Sequence, residues 1–156
     1  MKILKSQIYS IILIFILTGC GYKLLNYSSN FKISEIETQG DSRINFILKN
    51  KIDRHLGENK KNNVKLSFNS SLKKIIKEKN IKNEITKYEI KASIKVDYII
   101  NDKQKVSSFV VSETQMYNVA ANHSQTLINE KNSTKFLLNS IAEKINKRLL
   151  IELNDF

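Results

Sequence analysis

Between Tyr88 and Ile100 the chain alternates without a break. Tyr88, Ile90, Ala92, Ile94, Val96, Tyr98 and Ile100 fall on every second position, with mostly charged or polar residues between them. Successive side chains of a strand point to opposite faces, so this run is a long strand with one face buried and one face wet. Half-wet strands belong to antiparallel or mixed sheets covered on one side, not to all-parallel sheets covered on both. Asn101-Asp102-Lys103-Gln104 then reads as a hairpin turn, although it lacks the Asn-Gly or Asp-Gly pair that fixes a turn type. Val106 to Tyr117 is the return strand, and a phase change at Phe109-Val110-Val111 points to a bulge or to burial on both sides.

Upstream, Phe31 to Gln39 reads as a first strand: Phe31 and Ile33 alternate with polar neighbours, Ile36 shifts the phase, and Gly40 ends it. Asp41 and Ser42 can cap a helix by offering oxygen to the free N–H groups of its first turn. Ile44, Ile47, Leu48, Ile52 and Leu56 then form one apolar stripe at helical spacing, with Gly57 as a left-handed stop. A further strand places Val64, Leu66 and Phe68 on one face and extends toward Leu72. The basic stretch Lys73 to Lys82 is open between strand extension, loop and short helix. From about Ser124 to Leu153, Leu127, Leu138, Ile141, Ala142, Ile145, Leu149 and Leu153 mark a long helix, weakened in the middle by Asn132-Ser133. The predicted fold is α+β, a two-layer sandwich of order β-α-β-β-β-α with two helices on one face of a four-stranded, mostly antiparallel sheet.

The N-terminus has a different character. Lys2 and Lys5 precede an apolar run from Ile8 to Leu17 broken only by Ser10, and small residues follow at Thr18 and Gly19. A transmembrane anchor is the rival reading, but the run falls well short of the roughly 20 apolar residues a spanning helix needs. Leu17-Thr18-Gly19-Cys20 resembles the bacterial lipobox, in which cleavage falls before a cysteine that carries diacylglycerol and an acylated amine. Each buried methylene adds about 0.8 kcal/mol, so more than one acyl chain gives stable anchoring. Gly21 is not the Asp that retains lipoproteins at the inner membrane, so the expected location is the outer membrane, lipid-anchored on the periplasmic face. The chain divides into a signal at 1–19, a lipidated, Asn/Ser-rich tether at 20–30 and one domain at 31–156.

Removing residues 1–19 from 156 leaves 137, enough for one domain with a real core. With Cys20 acylated no disulfide is possible, and burial and hydrogen bonds must hold the fold. The formal charge is +11, of which Lys2 and Lys5 leave with the signal. Such a balance points to an anionic partner, and export excludes nucleic acid in favour of anionic lipid, a polyanionic glycolipid or an acidic protein. A chain crowded with Lys, Asn and Ile also arises from an A+T-rich genome, and charge alone does not separate the two explanations.

Catalytic constellations are not found. His55 and His123 have no spaced partner for zinc, the four glycines form no phosphate loop, and no serine sits in a nucleophile elbow. The chain reads as a non-enzyme without cofactor or metal.

Lipobox, Cys20-Gly21-Tyr22-Lys23-Leu24 start and element order together resemble the LPS-assembly lipoprotein LptE family. Tyr117-Asn118-Val119, Ser124, Glu130 and Ile141-Ala142-Glu143-Lys144-Ile145-Asn146-Lys147-Arg148-Leu149 look like the last strand end and closing helix of that family. The resemblance spans essentially the whole chain and implies a plug inside a large outer-membrane β-barrel, LptD, that helps the barrel fold and assists lipopolysaccharide delivery. It also implies glycolipid contact through basic residues before the third strand and after the fourth. Lys79, Lys82 and Lys87 stand at or near the first place, whereas Val119 to Gln125 holds no Lys or Arg. Ordinary solvated charge is the competing account of these lysines. The alternative for the whole chain is a free-standing periplasmic lipoprotein that binds anionic lipid through the Lys73–Lys82 basic loop.

Overall fold

The computed structural model describes residues 31–53, 62–101 and 106–154. Cys20, the signal and the tether lie outside the described residues, as do His55, Leu56, Gly57 and the turn residues Asp102 to Gln104.

The alternating run forms β3 (Ile85–Ile100), flanked by β2 (Asn62–Lys79) and β4 (Ser107–Asn118), both antiparallel to it. β1 (Phe31–Gly40) adds to the far side of β2 in parallel, giving the order β1-β2-β3-β4. A register shift between Ile33 and Glu35 is the bulge that the phase change at Ile36 foreshadows, and it lets both isoleucines pack on the core. In β4 there is no such shift. Pairing with β3 runs unbroken from Lys87↔Asn118 to Tyr98↔Ser107, with Phe109 and Val111 buried and Val110 exposed between them. The expected bulge or two-sided burial is therefore corrected to plain alternation, because Val110 occupies a solvent-facing position beside Lys95 where its branched side chain still suits a strand.

Helices α1 (Ser42–Asp53) and α2 (His123–Asn154) cover one face of the sheet. Asp41 caps α1, its Oδ1 accepting the backbone N–H of Arg43 at 3.0 Å and of Ile44 at 3.2 Å. Ile44, Leu48 and Ile52 of α1 and Leu138, Ile141, Ile145 and Leu149 of α2 meet Val64, Phe68, Ile90, Ile94 and Val96 of the sheet in one core. Each such side chain contributes about 1.5–3 kcal/mol when fully buried. α2 is continuous over 32 residues, about 48 Å, through Asn132-Ser133. Its stripe differs from the expected one at one end: Leu127 is half exposed, while Leu137 is buried and Thr126 replaces Leu127 as the inward residue of the first turns. Leu127 lies one position off that inward stripe, on the solvent side of the helix, so its apolar side chain gains no cover.

Candidate functional site

β1 accompanies β2 only as far as Ser70, where Gly40 turns the chain into α1. Beyond that point β2, β3 and β4 run on as a three-stranded arm, two-stranded only at its last pair Lys79↔Ile85, and this arm contains the basic stretch Lys73 to Lys82. Strand extension is the outcome up to Lys79, in register from Leu72↔Ala92 to Ile76↔Tyr88. A tight turn closes the arm. Asn80 Oδ1 accepts the N–H groups of Lys82 at 2.9 Å and Glu84 at 3.0 Å, and Asn83 takes a positive φ of 63°.

Lys79 ends β2, Lys82 lies in the turn and Lys87 lies in β3. The arm brings them to one end of the molecule. Their charges are not equally available: Lys87 Nζ is 2.7 Å from Glu78 Oε2, and Lys79 Nζ donates to Asn83 Oδ1 at 2.9 Å. Lys82 is exposed, and next to it Ile81 is fully exposed. The turn thus presents an apolar tip with a lysine on either side.

A second cluster forms where the arm passes the start of α2. Lys74 Nζ lies 2.6 Å from Glu130 Oε2, and the Tyr117 hydroxyl donates to the same oxygen at 2.8 Å. Tyr88 and Tyr117 stack with centroids 5.5 Å apart, and the Lys74 ammonium sits 4.3 Å from the Tyr88 centroid and 5.4 Å from that of Tyr117. Burial alone would lower the Lys74 pKa, but hydrogen bonds and charge from Glu130 and Tyr117 outweigh it and hold the group above the ordinary lysine value. Glu130 is the mirror case: burial would raise it, and Lys74 and Tyr117 hold it below the carboxylate value. Burial, with Glu130 beside it, pushes the Tyr117 hydroxyl up.

This cluster borders a shallow pocket of about 340 Å³ between Lys74, Tyr88, His123, Thr126 and Glu130. The sequence shows no basic residue in the segment after β4. The fold supplies one there from β2, since Lys74 reaches the start of α2. Its ammonium is already matched by Glu130, so the cluster fastens α2 to the arm before it does anything else. Among the described residues no three His, Cys, Asp or Glu side chains gather to hold a metal ion, and no helix is long and apolar enough to cross a membrane.

In the sequence Tyr117 and Glu130 stand out only as family-like residues, with nothing that joins them to Lys74. Their separations of 13 and 56 positions are closed by strand register and helix placement, which the local pattern does not contain.

The same architecture occurs in solved bacterial lipoproteins. A crystal structure of a lipoprotein from Caulobacter crescentus superimposes with a TM-score of 0.50 at 16% identity, covering 76% of this chain and 90% of that one. The solution structure of lipoprotein B from Nitrosomonas europaea gives 0.51 at 10% identity, covering 78% and 80%. At these identities the likeness is one of fold. No protein-family model matches the sequence, and no curated protein matches it.

Proposed function

We propose that this chain is an outer-membrane lipoprotein that plugs an LptD-type β-barrel, helps that barrel assemble and assists delivery of lipopolysaccharide to the cell surface. The role is non-enzymatic and needs no cofactor. One observation carries the reading: a lipobox cysteine, Cys20, stands just ahead of a β-α-β-β-β-α domain whose fold recurs in two lipoproteins.

Three features support it. The sheet leaves one face open and polar, suited to a wet barrel lumen. On the helix layer Phe46 and Phe136 are 70% and 64% exposed, large apolar side chains of the kind a partner surface covers. Finally, Phe31 and the basic turn are at opposite ends: Phe31 pairs with Asn62 at the start of β2, while Lys79 and Lys82 lie about 55–60 Å away at its end. Anchored by Cys20 at the periplasmic face, the domain projects Lys79, Lys82 and Lys87 deep into the lumen, where lipopolysaccharide phosphates would meet them.

Depletion of the protein tests this. The expected result is loss of the compact, heat-modifiable barrel and a fall in surface lipopolysaccharide, with Lys79→Glu/Lys82→Glu restoring the barrel but not delivery. A barrel and a surface both unchanged on depletion would refute the proposal.

A further inference from the structure

The open face of the sheet carries an unmatched pair of charges. Lys73 of β2 is directly opposite Lys91 of β3, and Lys91 is directly opposite Thr114 of β4, so the three form one cross-strand row. Their faces follow from parity, because Ile90 and Ala92 on either side of Lys91 are buried under the helices. Like charges directly opposite are destabilising. Nearby lysines of the sheet are matched: Lys74 with Glu130, Lys77 with Glu89, Lys87 with Glu78 and Lys95 with Asp97. Among the described residues Lys73 and Lys91 have no carboxylate.

The rows on either side are ordered. On the side away from the turn lies a hydroxyl row, Ser71, Ser93 and Ser112, with the last two oxygens 2.8 Å apart. Toward the turn lie Ile75 and Met116, both about half exposed, flanking Glu89, whose carboxylate is engaged by Lys77. Hydroxyls, then two ammonium groups, then two apolar side chains about a carboxylate already neutralised by Lys77 follow the polarity sequence of a phosphate-bearing amphiphile.

We propose that Lys73 and Lys91, with Thr114 and the serine row beside them, bind the phosphate of a lipid headgroup on the open sheet face, at a site separate from the hairpin turn. Two ammonium groups about 5 Å apart at Cβ can both donate to one phosphate, which removes the repulsion between them. The exposed side chains of Ile75 and Met116 favour a lipid over free phosphate. The site does not depend on the barrel reading.

The test uses the acylated protein in a neutral maltoside detergent, titrated calorimetrically with dihexanoyl phosphatidic acid and, in parallel, with inorganic phosphate. Saturable lipid binding is expected, weakened about tenfold or more in Lys73→Gln/Lys91→Gln and changed less than about twofold in Lys79→Gln/Lys82→Gln. Inorganic phosphate should bind at least about tenfold more weakly than the lipid. Lys73→Glu separates binding from folding, since it should abolish binding while raising the melting temperature through a new pair with Lys91. No saturable binding, or an equal loss in the turn variant, would overturn the site, and equal affinity for inorganic phosphate would overturn the lipid source.

Discussion

Gly40 is the residue the fold can least replace. Its φ is +92°, and a Cβ there would stand 2.0 Å from the Ser70 carbonyl oxygen. This contact is backbone to backbone and has no flexible end to yield. Gly40→Ala should therefore cost about 3 kcal/mol or more, read as a lower urea midpoint, and a loss below about 1 kcal/mol would contradict the geometry.

Also at this scale, Lys74, Glu130 and Tyr117 set a pH dependence. Glu130 is held below its ordinary value of 4.5, so its contribution is full above that pH and is lost as pH falls through the lowered value. Lys74 and Tyr117 are held above 10.5 and 10.0, so theirs are full below those values and are lost as pH rises through the raised ones. Glu130→Gln should blunt the acid-side loss and cost about 0.5–1 kcal/mol at neutral pH, modest because both partners are partly exposed. Thermal melts from pH 3 to 11 on the two proteins provide the check. Identical acid limbs would contradict the assignment.

Among the elements, burial decided what could be read in advance. β3 was legible because one face is sealed by helices and every second residue is constrained. The arm was not. Lys73-Lys74-Ile75-Ile76 breaks the alternation because the arm runs past β1 and the helix core, and Ile75 and Ile76, on opposite faces, are both exposed. Leu127 fits the stripe by spacing, yet Thr126 beside it is the residue that turns inward, a difference of one position that the apolar pattern does not contain. Basic residues near the turn were visible as composition, but which lysines are matched depends on register across β2, β3 and β4. Two substitutions probe these elements. Asn132→Ala, at an exposed site within the unbroken α2, should stabilise by about 0.5 kcal/mol, where a helix broken at Asn132-Ser133 would gain nothing. Lys73→Glu should stabilise by about 0.2–1 kcal/mol, and a loss of stability would show that Lys73 and Lys91 do not face each other.

For the whole molecule, the polarity of the domain matters most. The two ends of α2 are pinned to the sheet by similar contacts, Tyr117 to Glu130 at one end and Tyr98 to Glu152 at the other, each at 2.8 Å. The Lys144–Glu113 pair ties the helix to β4 between them. So braced, the sheet and its arm form a rod with Phe31 toward one end and the basic turn at the other. A rod of this kind fits the proposed plug, with anchor outside and lysines within. It also keeps the open sheet face parallel to the long axis, where a lumen wall can lie against it.

Affinity purification from gently solubilised outer membranes, through a tag at the C-terminus, tests the central claim most directly. A plug brings down one large β-barrel at near-equal stoichiometry, retained through high salt, because an enclosing lumen buries far more surface than a charge contact does. Recovery of the lipoprotein alone, or with only lipid that washes off in salt, would contradict the plug and favour a free-standing lipid-binding lipoprotein.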